Sequence, residues 1–158
     1  MTDLHSGQRA GVPALWIMVT TGILAIFGLG VSIYLTIAHF AGTQVLACSD
    51  AGLVNCAKVT TSSQSVFVGI PVAILGLGYF VVALAFYSPW AWKSSIRNIH
   101  LARVIFSILG IGFVLWLITA ELVIIKNICL WCTSVHVVAF ILFVITVTSA
   151  PRILEEHQ

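Results

Sequence analysis

The sequence has very few charged residues. Of its 158 residues, 7 are Lys or Arg and 5 are Asp or Glu, so that 8% are charged, against about 25% in soluble domains. A water-soluble fold needs a polar surface, which so few charges cannot supply. A net charge of +2 without a basic cluster also offers no footprint for nucleic-acid phosphates. The scarcity of charge therefore excludes a soluble domain and a nucleic-acid-binding protein, and it indicates an integral membrane protein in contact with lipid.

The few charges separate long apolar stretches, and hydrophobic residues make up 60% of the chain. A membrane-spanning helix needs about 20 mostly apolar residues to cross roughly 30 Å of hydrocarbon. The sequence predicts four such helices, at 14–40, 66–87, 101–125 and 129–150. No stretch remains for a second domain. We therefore expect a single all-α membrane domain over 1–158, a four-transmembrane-helix bundle with a cap loop at 41–65 between its first two helices.

Lys and Arg are unevenly distributed among the segments that flank these helices. One side of the predicted bundle carries Arg9, Lys93, Arg97, Arg103 and Arg152. The other side carries only Lys58 and Lys126. Cytoplasmic loops have an excess of Lys and Arg. The distribution therefore predicts that both termini are cytoplasmic and that the cap loop is extracytoplasmic, in a plasma (inner) membrane.

All four cysteines fall on the predicted extracytoplasmic side, where disulfides form and persist. Cys48 and Cys56 lie in the cap loop, and Cys129 and Cys132 open the fourth helix as a C-x-x-C pair. Residues i and i+3 of a helix face the same way, within reach of one disulfide. The positive end of the helix dipole favours a thiolate, which is the reactive form of cysteine. This pattern is typical of a redox centre.

The cap loop is rich in turn-forming residues, which would allow its two cysteines to close on each other. A cysteine pair in a mobile loop, next to a second pair fixed on a helix, favours an electron relay in which electrons pass from one pair to the other by thiol–disulfide exchange. Other interpretations stay open. The cysteines could form two structural disulfides that brace the cap, or a four-thiolate zinc site, although zinc ligands usually lie two to four residues apart. They could also be incidental to a membrane anchor.

The order of these features resembles the vitamin K epoxide reductase family, and specifically its microbial members. The resemblance rests on the loop pair Cys48 and Cys56, on Ser62 six positions after the second cysteine, and on the C-x-x-C that opens the fourth helix. The segment Phe-Val-Gly-Ile-Pro at 67–71 also looks like the family's entry to the second helix. The likeness spans about residues 14–150.

The resemblance implies a membrane thiol:quinone oxidoreductase whose cofactor is a quinone (menaquinone, ubiquinone or a vitamin K form). It implies that Cys132 contacts the quinone and that Cys129 is its disulfide partner. Cys56 would exchange with Cys129, and Cys48 would face the protein substrate. That substrate would be a thioredoxin-like or DsbA-like protein acting in trans, since the chain ends at Gln158 without such a domain. The activity would support disulfide-bond formation in secreted proteins.

The departures from the family pattern concern the quinone contacts. Animal members have a Tyr four residues after the second cysteine of the C-x-x-C, where this chain has His136. A histidine at i+4 from Cys132 shares its helix face and can donate a hydrogen bond or a proton. Alignment on Gly69 places Ser65, with Gln64 adjacent, at the animal members' Asn. The candidate quinone-binding residues are therefore Ser62, Ser65 and His136.

Three alternatives to this function remain. The first is a vitamin K quinone or epoxide reductase of the animal type. The second is a DsbB-type quinone reductase, in which the two cysteine pairs occur in the reverse order. The third is a non-enzymatic membrane protein with structural disulfides. Two further ionisable residues, His39 and Glu121, lie near the ends of predicted helices, and we expect their side chains to reach water.

Overall fold

The computed structural model describes residues 14–48 and 52–155 of the chain. Arg9, one of the charges that predict the orientation, lies outside this part. The structure is 81% helical, in agreement with the predicted all-α class. The helices are α1 (Leu15–Ala41), α2 (Cys56–Thr60), α3 (Val72–Phe86), α4 (Pro89–Lys93), α5 (Arg97–Thr119), which continues as a π-helix (Ala120–Ile125), and α6 (Leu130–Glu155). Two 3₁₀ turns (Thr43–Val45 and Ser63–Ser65) and the strands β1 (Val66–Phe67) and β2 (Ile70–Pro71) complete the described part.

Within the described part of the chain, three helical segments are long and apolar enough to cross a membrane: Leu15–Ala41, Arg97–Ile125 and Leu130–Pro151. Helix α3 is also apolar but has only 15 residues. At 1.5 Å per residue it is about 22 Å long, which is shorter than roughly 30 Å of hydrocarbon. The structure therefore supports an all-α membrane protein, while the fourth crossing remains a prediction.

Helix α3 begins at Val72, so the predicted start at residue 66 was wrong. Residues 66–71 form a short antiparallel hairpin instead. At its turn, Val68 and Gly69 have φ values of 51° and 81°, which a right-handed helix does not contain. Pro71 follows, and a proline has no amide hydrogen to donate inside a helix. Because the segment is apolar, hydropathy did not distinguish this turn from the start of the helix.

The third and fourth helices are longer than predicted. Helix α5 begins at Arg97 rather than at 101, because its first turn is polar and did not count as part of the apolar stretch. Helix α6 runs to Glu155 rather than to 150, with Pro151 inside it. Hydropathy located the apolar part of each helix, and the hydrogen-bonded backbone continues beyond that part.

The long helices pack around a shared apolar core. Helix α1 contacts α3 and α6, and α5 contacts α6. Phe80 of α3 lies so close to α1 that a Cβ atom at Gly28 would overlap its ring. Helices α3 and α5 meet through the stacked rings of Tyr79 and Phe106, whose centroids are 4.6 Å apart. The core residues are Met18, Ala25, Phe80, Ala83, Tyr87, Trp92, Val138 and Leu142.

The end of the bundle opposite the cysteines contains a cluster around the buried side chain of Arg103, which we call the far-end cluster (Thr21, Phe86, Trp92, His100 and Arg103). The guanidinium of Arg103 lies 3.8 Å from the Trp92 ring centroid, and its Nε donates to the Phe86 carbonyl at 2.9 Å. Its Nη1 donates to His100 Nδ1 at 3.2 Å. Trp92 Nε1 donates to Thr21 Oγ1 at 3.2 Å. These contacts keep a charged side chain only 2% exposed.

Candidate active site

A β-bridge joins the cap segment to the start of α6. Val54 and Ile128 pair in parallel, with backbone hydrogen bonds of 2.8 and 3.1 Å on the two sides of the pair. The cysteines that follow, Cys56 and Cys129, lie in one buried cluster, and each is fully buried. Two cysteines separated by more than seventy residues in the sequence are thereby brought together.

Cys56 is the first residue of the short helix α2. The side chain of Asn55 caps this helix, its Oδ1 accepting the Lys58 amide hydrogen at 2.8 Å. Cys56 forms a disulfide with Cys48, with the two Cα atoms 6.0 Å apart. The cap cysteines therefore close on each other, as the turn-forming residues of the cap loop had indicated.

The segment that leads to Cys48 is held by aromatic residues of α1 and α6. The hydroxyl of Tyr34 donates to the Val45 carbonyl at 2.8 Å and accepts the Ala47 amide hydrogen at 2.7 Å. Trp131 Nε1 donates to the Ala47 carbonyl at 3.1 Å. The Tyr34 and Trp131 rings meet edge to face, with centroids 4.9 Å apart. These contacts fix the path of the cap segment up to Cys48.

Cys129 and Cys132 are free thiols in different surroundings. Cys129 is fully buried, whereas Cys132 is only partly buried. The Cys132 amide hydrogen is donated to Cys129 Sγ at 3.2 Å. A hydrogen bond from the Cys132 thiol, together with this amide, lowers the pKa of the Cys129 thiol. Cys129 is thus the cysteine whose thiolate the local structure stabilises.

A cavity of about 570 Å³ lies between the helices and beneath the cap. Its volume is within the range of small-molecule sites, about 300–1,000 Å³. Most of its wall is apolar and comes from α1, α3, α5 and α6. The polar and sulfur-containing residues in the wall are His39, Thr60, Ser62, Gln64, Ser65, Glu121, Cys132 and His136, with Ser32 and Tyr79 deeper in the bundle. The cavity therefore brings together Cys132 and the three residues that the sequence had proposed as quinone contacts.

The three proposed contacts differ in their ability to donate a hydrogen bond. His136 is 6% exposed, and its buried Nδ1 has no hydrogen-bond partner among the described residues. The hydroxyls of Ser62 and Ser65 already donate to backbone carbonyls, at 2.7 and 2.6 Å. Gln64 accepts from Ser63 through Oε1 at 3.1 Å, while its amide nitrogen carries two donor hydrogens. His136 and Gln64 are therefore the better donors, and Gln64 was not among the predicted site residues.

Glu121 is buried, so the expectation that it reaches water was wrong. It lies in the π-helix that ends the third long helix, and it is 6% exposed. Its carboxylate oxygen accepts the Cys129 amide hydrogen at 3.4 Å, and the residue is part of the cavity wall. The sequence did contain a signal, since an acidic residue within a membrane helix is by default a functional candidate.

The geometry does not favour the zinc site that the sequence had left open. Cys48 and Cys56 are bonded to each other and offer no thiolates to a metal. Within residues 14–48 and 52–155, no group of three or more His, Cys, Asp or Glu side chains is arranged to hold a metal ion. The four cysteines instead form an adjacent disulfide and dithiol, an arrangement that suits thiol–disulfide exchange.

Comparison with known proteins agrees with this geometry. Residues 19–147 match the model of the vitamin K epoxide reductase family. The matched region includes both cysteine pairs and every polar residue of the cavity wall. No curated protein sequence matches the chain. Because the family model covers most of the chain, the resemblance carried by the cysteine spacing is confirmed, and the chain belongs to the vitamin K epoxide reductase family.

Proposed function

We propose that this protein is a membrane thiol:quinone oxidoreductase that takes electrons from a thioredoxin-like or DsbA-like protein and so supports disulfide-bond formation. Members of its family are membrane oxidoreductases that act with quinones. One observation carries the proposal. Cys129 lies in the buried cluster of the cap disulfide, and Cys132, three residues further on, borders the cavity.

This arrangement supplies each step of an electron relay. Cys48 is the more accessible member of the cap disulfide and is the one that a partner's thiolate would attack. Once reduced, Cys56 is adjacent to Cys129 and can exchange with a Cys129–Cys132 disulfide. The electrons then reside on the C-x-x-C pair, at the edge of the cavity.

The cavity residues fit a quinone. The wall is mostly apolar, as a quinone ring and its isoprenoid tail require, and the buried His136 Nδ1 and the Gln64 amide offer hydrogen bonds for carbonyl oxygens. Ser62 and Ser65 would contact the same ligand through their oxygen atoms, since their hydrogens are already engaged. A bound quinone supplies the acceptor for two electrons and two protons.

The two cysteines of the C-x-x-C have separate roles in the reductive step. Cys132 borders the cavity and delivers its electrons there. Cys129, whose pKa is lowered, is the nucleophile that closes the disulfide onto Cys132. The pair loses two electrons and two protons as the disulfide forms, and the acceptor gains both.

We also propose the topology that the charge distribution predicts. Both termini would be cytoplasmic, α3 would act as the fourth, short transmembrane helix, and the cap with its cysteines would face the extracytoplasmic side. The chain would then form a single membrane domain whose partner protein meets the cap from outside.

Anaerobic mixing of the purified, reduced protein with a menaquinone analogue tests the function. Wild type should lose two thiols for each quinol formed, as followed by thiol titration and quinol absorbance. Cys132→Ala should abolish quinol formation. Cys48→Ala is the matched control: it should still reduce the analogue in a single turnover but should fail to oxidise a DsbA-like protein. A wild-type protein that forms no quinol would favour the non-enzymatic alternative, in which the disulfide only braces the cap.

A further inference from the structure

The thiol of Cys129 lacks a direct route for its proton. Cys129 is fully buried beside Cys56 and does not border the cavity, whereas Cys132 does. The proton of Cys132 can therefore pass directly to a ligand in the cavity. The second proton that a quinone must receive has to cross from Cys129 to the same space.

Glu121 is the ionisable side chain that bridges these two places. Its carboxylate accepts a hydrogen bond from the Cys129 backbone at 3.4 Å, and the residue is part of the cavity wall. Among the described residues, this is the only hydrogen bond of the carboxylate, and no ion pair holds it. One or more of its lone pairs is therefore available to take up a proton.

The local backbone accounts for this position. Glu121 is the second residue of the π-helix Ala120–Ile125, where the widened turn departs from the α-helical register. Such π turns occur frequently at functional sites. The Glu121 carbonyl in turn accepts the Asn127 amide hydrogen at 3.1 Å, which ties the end of this turn to the segment that leads into Cys129.

We propose that Glu121 is the proton carrier between the Cys129 thiol and the quinone, an inference that rests on the proposed function. When Cys129 ionises, the Glu121 carboxylate accepts its proton. As the Cys129–Cys132 disulfide forms and two electrons leave for the quinone, Glu121 donates that proton to a quinone oxygen and Cys132 supplies the second. Two thiols and a quinone are thereby converted to a disulfide and a quinol.

The charged and titratable groups around this carboxyl are few. Helix α6 contributes Cys132 and His136 in addition to the adjoining Cys129, and α1 contributes His39 across the cavity. The lysines next to the two cysteine segments, Lys58 of α2 and Lys126 before Cys129, have exposed side chains. The test must therefore separate the Glu121 carboxyl from a general change of charge near the cysteines.

The variant Glu121→Gln keeps an oxygen that can accept the Cys129 amide hydrogen but cannot carry a proton. We expect single-turnover reduction of the menaquinone analogue to slow about 100-fold, a typical loss for a general acid–base group. Glu121→Asp, which restores a carboxyl, should recover most of the rate. Lys126→Gln is the matched control, since it removes an exposed charge close to Cys129, and it should react at the wild-type rate.

A second measurement, made without quinone, distinguishes proton transfer from a structural role. The pH dependence of the Cys129 thiolate absorbance in the reduced protein, taken as the signal that Cys129→Ser removes, should move to lower pH in Glu121→Gln, because the negative charge that opposes the thiolate is gone. Loss of local structure would instead move the profile toward that of an ordinary thiol, at higher pH.

The possible results separate this inference from the function on which it rests. A slow Glu121→Gln variant with a profile shifted to lower pH supports the proposal. A variant that reduces the analogue at the wild-type rate, or that is slow with a profile unchanged or shifted upward, overturns it. If Glu121→Gln does not fold, a Glu121→Asp variant as slow as Cys132→Ala overturns it also. A wild-type protein that forms no quinol refutes the proposed function itself.

Discussion

The hydroxyl of Tyr34 should control how firmly the cap segment is held next to Cys48. Tyr34→Phe removes two hydrogen bonds, from the hydroxyl to the Val45 carbonyl and from the Ala47 amide to the hydroxyl. A neutral hydrogen bond contributes about 0.5–1.5 kcal/mol, and groups that water can reach lie at the lower end of that range. Both bonds are exposed. The expected loss is therefore about 1–2 kcal/mol for opening of this segment.

That free energy can be measured at a single amide. Because 1.4 kcal/mol corresponds to a factor of ten, hydrogen exchange at Ala47 should become about 5–30-fold faster in Tyr34→Phe. Exchange should not change at those α6 amides that exchange through local openings, because such openings leave the cap segment in place. The edge-to-face contact with Trp131 persists in the variant, so that the measurement isolates the hydroxyl.

Tyr79→Phe is the matched control for this experiment. The Tyr79 hydroxyl is buried and has no hydrogen-bond partner among the described residues. Its removal should leave exchange at Ala47 unchanged, because no bond to the cap segment is lost. An Ala47 exchange rate in Tyr34→Phe within twofold of wild type would refute the reasoning, and it would mean that the indole of Trp131 alone holds the segment.

Two further predictions concern packing and acidity. Gly28→Ala should lower the midpoint of thermal unfolding, because overpacking against the Phe80 ring costs about 1–3 kcal/mol. Gly30→Ala is the control: its new methyl group meets open space, so the variant should be neutral or slightly stabilising. Equal unfolding midpoints for the two variants would contradict the close approach of α1 and α3. In the reduced protein, the Cys129 thiolate should persist to a pH below the ordinary cysteine pKa of about 8.5. Cys132→Ala should raise the titration midpoint of Cys129, because the thiol that hydrogen-bonds to the Cys129 sulfur is gone. The thiolate absorbance of Cys129 as a function of pH measures both, and a titration midpoint unchanged by Cys132→Ala would contradict the assigned cause.

The sequence predicted those features that depend on composition and on spacing along the chain. The scarcity of charge indicated a membrane protein, and the spacing of Cys48, Cys56 and the C-x-x-C indicated the family. The hairpin at 66–71 was missed because its turn depends on backbone angles at Val68 and Gly69, and hydropathy does not report these angles.

The site itself depends on contacts between distant segments, which a single sequence does not contain. The bridge between Val54 and Ile128 places Cys56 beside Cys129, and no sequence motif predicts this bridge. The burial of Glu121 follows from the π turn and from the position of α6. Ser62 and Ser65 line the cavity, and their contact with a quinone stays a prediction. Only the structure shows that their hydroxyl hydrogens are engaged elsewhere.

The placement of all four cysteines at one end of the bundle determines how the proposed reaction relates to the membrane potential. All four cysteines lie at one end of the bundle, and the buried guanidinium of Arg103, packed on Trp92, lies at the other. The protons that the thiols release and those that the quinone takes up would therefore be exchanged at a single end, and their numbers cancel. Turnover would be electroneutral. It would neither charge the membrane nor be driven by its voltage, and the direction of electron flow would depend only on the reduction potentials of the dithiol and the quinone.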